Sequence, residues 1–197
     1  MTQPRSTMLN NVLYVFPSSL GWGAVDWADA QLRALVFGYP SGAEAAGVLR
    51  AALTVPDGDE NAEAPDCDCW VDVEQHRRGV VREIRRLAER IQAYADGGRD
   101  LFLDIPVALG DVTEFQGRVL QECRQIGFGR TLTYGQLAAK AGYPQAARAV
   151  GTVMAHNRVP LVIPCHRVVG SGGALRGYSG CGGTAMKRRL LELEGAR

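Results

Sequence analysis

Residues 133–156 read Thr133-Tyr-Gly-Gln-Leu-Ala-Ala-Lys-Ala-Gly-Tyr-Pro-Gln-Ala-Ala-Arg-Ala-Val-Gly-Thr-Val-Met-Ala-His156. Thr133 with Gln136 three positions on is a capping box, in which each side chain satisfies the other's orphan backbone amide. It opens the helix Leu137-Ala-Ala-Lys-Ala, and Gly142 supplies the left-handed residue that ends one. Pro144 fits the first position of the next helix, Gln145 to His156, where its missing N–H costs nothing. Two short helices joined by a glycine-containing turn make a helix-turn-helix unit. The second helix surrounds one long side chain, Arg148, with the small residues Ala146, Ala147, Ala149 and Gly151. Such a helix can approach a nucleic-acid groove closely. The alternative is that the alanines pack a core and Arg148 is merely solvated.

Working outward, Thr113-Glu-Phe-Gln116 is a second capping box, opening a helix with Phe115, Val119, Leu120, Cys123 and Ile126 on one side. Gly127-Phe-Gly-Arg130 is a turn, and Val159 to Ile163 reads as a short apolar strand. A glycine- and serine-rich loop covers Gly170 to Gly183, and a last helix covers Ala185 to Leu193. The first half differs. Residues 11–38 are β-rich, with apolar runs at Leu13 to Phe16 and Leu32 to Phe37, and turn residues at Pro17 to Gly21 and Asp26 to Gln31. Ser41 with Glu44 starts a helix over 41–53. An acidic loop follows from Pro56 to Cys69, then a long helix over 72–94 with Val73, Val80, Ile84, Leu87 and Ile91 at helical spacing. Leu101 to Leu109 reads as a strand and a linker.

The chain of 197 residues is 46% hydrophobic and 22% charged, which excludes a disordered or collagen-like protein and suits one or two modest domains. Its net charge of +1 conceals a dipole. Residues 1–112 hold 10 Lys and Arg against 17 Asp and Glu, a net −7; the remainder holds 12 against 4, a net +8. A basic, helical second half is the electrostatic footprint of a nucleic-acid partner, although basic residues also simply solvate helix faces. No long apolar region follows the N-terminus and no run approaches the length of a transmembrane helix, so no secretory signal, no membrane partner and a cytoplasmic location are expected. Five cysteines without regular spacing make a poor disulfide framework.

Ile163-Pro-Cys-His-Arg-Val-Val169 places a thiol, an imidazole and a guanidinium together. A thiolate is a strong nucleophile, and a neighbouring base or cation activates it. A buried cysteine at a strand end is the plainer alternative, because free cysteine is among the most buried residue types. On an extended chain Cys165 and His166 point to opposite faces, so they can cooperate only if the chain turns sharply or a water bridges them.

This segment resembles the active-site signature of the O6-alkylguanine-DNA alkyltransferases, also called methylated-DNA–protein-cysteine methyltransferases. Phe115-Gln116, Phe128-Gly129, Thr133 to Ala138, Ala146 to Gly151, His156-Asn157 and Tyr178-Ser179-Gly180 resemble that family's motif blocks, in the family's order, over about residues 113–195. The resemblance implies an α+β fold: an α/β, ribonuclease H-like domain over 1–111 and a mostly α winged-helix, helix-turn-helix domain over 112–197. It implies direct DNA repair, with O6-alkylguanine flipped out of the stack and its alkyl group moved irreversibly to Cys165, once per molecule. Flipping is physically required, since a thiolate cannot reach the alkyl carbon inside a stacked duplex. By the same resemblance His166 is the base, acting through a water, Glu194 orients it, and Asn157 organises the turn. Tyr134 aids the leaving guanine. Tyr178, Ser179 and the carbonyls of Cys165 and Val168 line the base pocket, Ser179 contacting O6. Arg148 enters the stack, flanked by Ala147, Ala149 and Gly151. The implied partner is double-stranded alkylated DNA, bound in the minor groove without strong sequence specificity by a monomer that needs no cofactor or metal.

One feature departs from the family pattern, and one weaker signal remains. The loop from Tyr178 to Lys187 is about two residues longer than usual and adds Cys181, a thiol that air could oxidise together with Cys165. Cys67, Cys69 and His76 invite a zinc reading, but structural zinc wants four ligands, so unpaired thiols are expected. His156 and Arg167 are expected to be structural or surface residues. Three rival readings remain: a lesion sensor without chemistry, which would lack the acceptor thiol; a transcription factor, which would offer polar residues to the major groove; and a cysteine hydrolase, which would turn over.

Overall fold

The computed structural model describes residues 11–53 and 78–196. The acidic loop, Cys67, Cys69 and His76 lie outside the described residues. The fold mixes helix and sheet. Strands β1 (Val12–Phe16), β2 (Trp22–Ala28) and β3 (Gln31–Tyr39) form an antiparallel sheet in the order β1-β2-β3. Helices α1 (Gly42–Leu53) and α2 (Arg78–Ala95) follow. The second half comprises α3 (Glu114–Arg124), β4 (Leu132–Thr133), α4 (Tyr134–Lys140), α5 (Ala147–Ala155), β5 (Val168–Val169) and α6 (Gly183–Leu193), with β4 and β5 paired in parallel.

Strand β2 overturns the expected turn at Asp26 to Gln31. Asp26 is buried inside the strand, opposite Leu13 and Ala34, with Arg33 Nε 3.3 Å from its carboxylate. The reversal uses only Asp29 and Ala30, both at positive φ, as a two-residue hairpin demands. The capping boxes form as read: Thr113 and Thr133 each accept from the amide of Gln116 and Gln136, and each glutamine reaches back. Gly142 follows α4 at φ +90°. Helix α5 starts at Ala147 and not at Gln145, because Tyr143 to Ala146 close a turn of their own.

Two expected strands do not form. Leu101 to Leu109 makes turns and touches β3 through a single bridge, Leu32 to Val107, beside Pro106. Val159 to Ile163 is buried but folded back on itself, with Leu161 at positive φ. Asn157 holds that turn: its Nδ2 donates to Ile163 O at 2.8 Å and its Oδ1 accepts from Val159 N at 3.1 Å. One apolar core joins both halves, running from Phe16, Leu35 and Ile91 to Val119, Leu137, Val150 and Leu190. Among the described residues no helix is long and apolar enough to cross a membrane.

Candidate active site

The apolar turn at Val159 to Ile163 delivers Pro164 and then one tight helical turn, Cys165–Arg167. This sharp turn removes the constraint of an extended chain, and its three side chains go to three places. Cys165 lines a cleft of about 490 Å³ together with Tyr134, Ala147, Arg148, Gly151, Tyr178 and Ser179. His166 and Arg167 turn inward and are fully buried.

Glu194, the residue after α6, receives both. His166 Nε2 lies 3.0 Å from Glu194 Oε1, and Arg167 reaches the same oxygen through Nη2 at 2.7 Å. Arg167 Nε donates to both carboxylate oxygens, and Gly129 N donates to Oε2 at 3.0 Å. A carboxylate only accepts, so the imidazole proton belongs on Nε2. His166 Nδ1 is then the basic atom, and it is buried with no hydrogen-bond partner among the described residues.

The protonation states follow from burial and pairing. Burial alone would raise the Glu194 carboxyl, but hydrogen bonds from His166 and Arg167 outweigh it and hold the group well below the usual carboxylate range. Burial pushes the His166 imidazole down against the pull of Glu194, so it rests neutral. Burial pushes the Cys165 thiol up, opposed by an Asn157 hydrogen bond and the Lys187 charge, so it rests protonated. A protonated thiol beside a neutral imidazole is a nucleophile that must be activated during the reaction.

Tyr134 opens α4 and is half-buried, its hydroxyl donating to Arg176 O at 3.2 Å. Helix α5 lies across the cleft mouth with Arg148 and Ala149 exposed and Ala147 and Gly151 half-buried, while Val150, Val153 and Met154 face the core. The alanines at 147 and 149 therefore do not pack the core. Tyr178 lines the cleft, its hydroxyl buried, and Ser179 is exposed at the rim. Val168 O already accepts from Lys187 Nζ at 2.6 Å, which leaves it one lone pair for a base. His156 stays at the surface, hydrogen-bonded to Thr152 O. Cys181 packs with its Cβ near Gly38 at the edge of β3.

Sequence reasoning missed two of these residues and undervalued a third. Lys187 is buried with its charge near Cys165, and burial lowers its ammonium from the ordinary value. Tyr94 comes from α2 in the first half and donates to Glu194 Oε1 at 2.5 Å. Its only sequence signal was position: it continues the spacing of Ile84, Leu87 and Ile91, which predicts burial and says nothing of the hydroxyl. Arg167 lies in the quoted motif, but its ion pair with Glu194 could not be read from local spacing.

Comparison with known proteins places this arrangement. The family profile described as 6-O-methylguanine DNA methyltransferase, DNA binding domain, matches residues 114–196. The methylated-DNA–protein-cysteine methyltransferase of Methanosarcina acetivorans is 37% identical over 139 residues, 71% of this chain and 81% of its own length. The chain belongs to the methylated-DNA–protein-cysteine methyltransferase family. The Mycobacterium tuberculosis member is 48% identical over 85 residues, which is 43% of this chain and 50% of that protein. The crystal structure of Mycobacterium tuberculosis OGT in complex with DNA superposes with a TM-score of 0.59 at 29% identity, covering 92% of this chain and 91% of that one. Membership in this family accords with a cleft that sets a thiol beside a helix of small residues, with a buried imidazole behind it. Among the described residues no group of His, Cys, Asp or Glu is arranged to hold a metal ion.

Proposed function

We infer that this alkyltransferase repairs DNA by moving the alkyl group of O6-alkylguanine onto Cys165. The carrying observation is that Cys165 opens onto a cleft edged by α5, while His166 behind it is neutral and tied to an ionised Glu194. The Cys165 sulfur attacks the alkyl carbon in line with O6. The C–O6 bond breaks and its electron pair leaves with the guanine. The thiol proton passes through a bridging water to His166 Nδ1, which suits a buried atom that has no hydrogen-bond partner among the described residues. Glu194 compensates the imidazolium so formed, and Arg167 holds that carboxylate in place. The Tyr134 hydroxyl exchanges its bond to Arg176 O for one to the leaving base, supplying a hydrogen bond or a proton. Asn157 holds the Val159 to Ile163 turn that aims the thiol. Because the C–S bond of the thioether is stable, each molecule acts once and irreversibly.

The substrate is double-stranded DNA entered from the minor groove. The exposed Arg148 side chain fills the place vacated by the flipped base, and the small neighbours Ala147, Ala149 and Gly151 permit close approach. Minor-groove patterns are degenerate, which suits a search for lesions at any sequence. Tyr178 and Ser179 border the space for the flipped guanine, whereas Val168 is buried behind the cleft lining with its carbonyl bound to Lys187. The antiparallel β1-β2-β3 sheet followed by helices supports a ribonuclease H-like domain over 1–111; α4 and α5 flanked by the β4–β5 ladder support a winged helix over 112–197. The protein works as a monomer, and a reducing, cytoplasmic location keeps Cys165 a free thiol.

The test is stoichiometry with duplex DNA carrying labelled O6-methylguanine. One label per chain should become protein-bound and then stop, and Cys165→Ala should abolish transfer while DNA binding persists. Repeated turnover, or full transfer by the alanine variant, would overturn the assignment.

A further inference from the structure

The carboxylate of Glu194 is shared between the two halves of the chain. Its Oε1 accepts from His166, from Arg167 and from the phenol of Tyr94, which lies 100 residues earlier on α2. Tyr94 is 1% exposed and wedged between Phe102, at 5.9 Å between ring centroids, and Phe128, at 6.0 Å. Its hydroxyl also lies 3.4 Å from His166 Nε2. Phe128 precedes Gly129, whose amide binds the other carboxylate oxygen, and Arg167 stacks over the same Phe128 ring. The phenol is thus held by tilted and edge-on aromatic contacts, and its proton goes to Glu194.

We propose that Tyr94 is a positioning residue for alkyl transfer, its hydrogen bond to Glu194 Oε1 setting how strongly the carboxylate draws on the His166 proton. The proposal rests on the reading of His166 as the base. A carboxylate oxygen that accepts from the phenol has less charge to offer the imidazole. Without the phenol, the same oxygen pulls harder on the Nε2 proton and stabilises the imidazolium. More of the base is then protonated at a given pH, and less is free to accept the thiol proton. The groups around the imidazole are Lys187 from α6 and Glu194 just after it, Arg167 and Cys165 from its own turn, Tyr94 from α2 and the Gly129 amide from the 127–130 turn. Of these only Tyr94 comes from the first half, so the packing of α2 against residues 126–130 tunes the base in the second half.

The experiment is the pH dependence of single-turnover methyl transfer for wild type and Tyr94→Phe, with DNA affinity and thermal stability measured alongside. Tyr94→Phe should move the acid limb of the profile to higher pH by about half to one unit, a roughly 3- to 10-fold loss of rate below that limb. Affinity for DNA should not change. An unshifted limb, whatever the change in stability, would mean that Tyr94 only packs. Phe102→Leu loosens the same contact but keeps the hydroxyl, so it should lower stability and leave the limb in place; an equal shift there would also overturn the proposal. Should Tyr94→Phe not fold, 3-fluorotyrosine placed at position 94 alone, a slightly stronger donor, should move the limb the other way, and no movement would refute the claim. A wild type that transfers no methyl to Cys165 would fail the parent reading instead.

Discussion

At Glu194 a buried carboxylate meets an imidazole, a guanidinium, a phenol and a backbone amide. Removing its charge strands Arg167, which has no exposure to recover the loss. Glu194→Gln should therefore cost about 3–5 kcal/mol of folding stability, measured by urea denaturation, because an uncompensated buried charge remains. Transfer should slow by at least about a hundredfold as the imidazole loses its orientation. The same residues give stability a pH window. His166 has a lowered folded value, so below the ordinary 6.5 the unfolded chain takes up a proton that the folded chain refuses, and stability falls with pH. Glu194 adds to the loss below its ordinary 4.5, as the pH falls toward its depressed folded value. Cys165 acts oppositely: its folded value is raised, so above the ordinary 9.0 the unfolded thiol ionises first and stability falls as pH rises. The urea midpoint should therefore be highest between about pH 6.5 and 9. A midpoint that stayed level from pH 7 down to pH 5 would contradict a buried neutral imidazole.

Among the elements, α3 and α4 begin with the same capping box but sit differently toward the cleft. Thr113→Ala and Thr133→Ala should each cost about 1 kcal/mol in thermal denaturation. Only Thr133→Ala should also slow methyl transfer, because Thr133 and Tyr134 both line the cleft; equal slowing by Thr113→Ala would count against that distinction. These starts were legible in the sequence because a capping box is a local signal, and Gly142 likewise announces the end of α4. What failed was set by distant partners. Strand β2 carries Gly23 and Asp26 and lies between the two stretches read as turns, Pro17 to Gly21 and Asp26 to Gln31, yet pairing on both sides makes it the central strand of its sheet. Val159 to Ile163 has a strand's composition, but the Asn157 side chain folds it back. Of the site, Cys165, Tyr134 and Arg148 were legible from motif and position and do share one cleft. His166 and Glu194 meet behind it as expected. Tyr94 was not legible, because a helix period records which face is buried and not what a hydroxyl touches.

Across the whole molecule, charge is divided by sequence half, and the basic half carries the face that presents α5 and the cleft. An overall charge of +1 gives no hint of this, whereas phosphates within a Debye length of ~8–10 Å respond to the local excess. Binding to undamaged duplex should weaken steeply with added salt, as counterion release requires. Arg148→Ala removes an exposed side chain that supports no core contact, so its stability should stay within about 0.5 kcal/mol of wild type. Its salt dependence should be nearly preserved, while capture of an extrahelical base, followed by 2-aminopurine fluorescence, should drop. Normal base capture by this variant would remove Arg148 from the flipping step. The one core shared by both halves means that the acidic half supports the site as well as balancing charge.

The central claim, that the thiol of Cys165 takes the alkyl group, is tested most directly by peptide-level mass spectrometry after incubation with O6-methylguanine duplex. The account predicts a single methyl, on the peptide containing Cys165, in an amount equal to the unmodified guanine restored in the DNA. A methyl on Cys123 or Cys181, or guanine restored with no methyl on the protein, would contradict it.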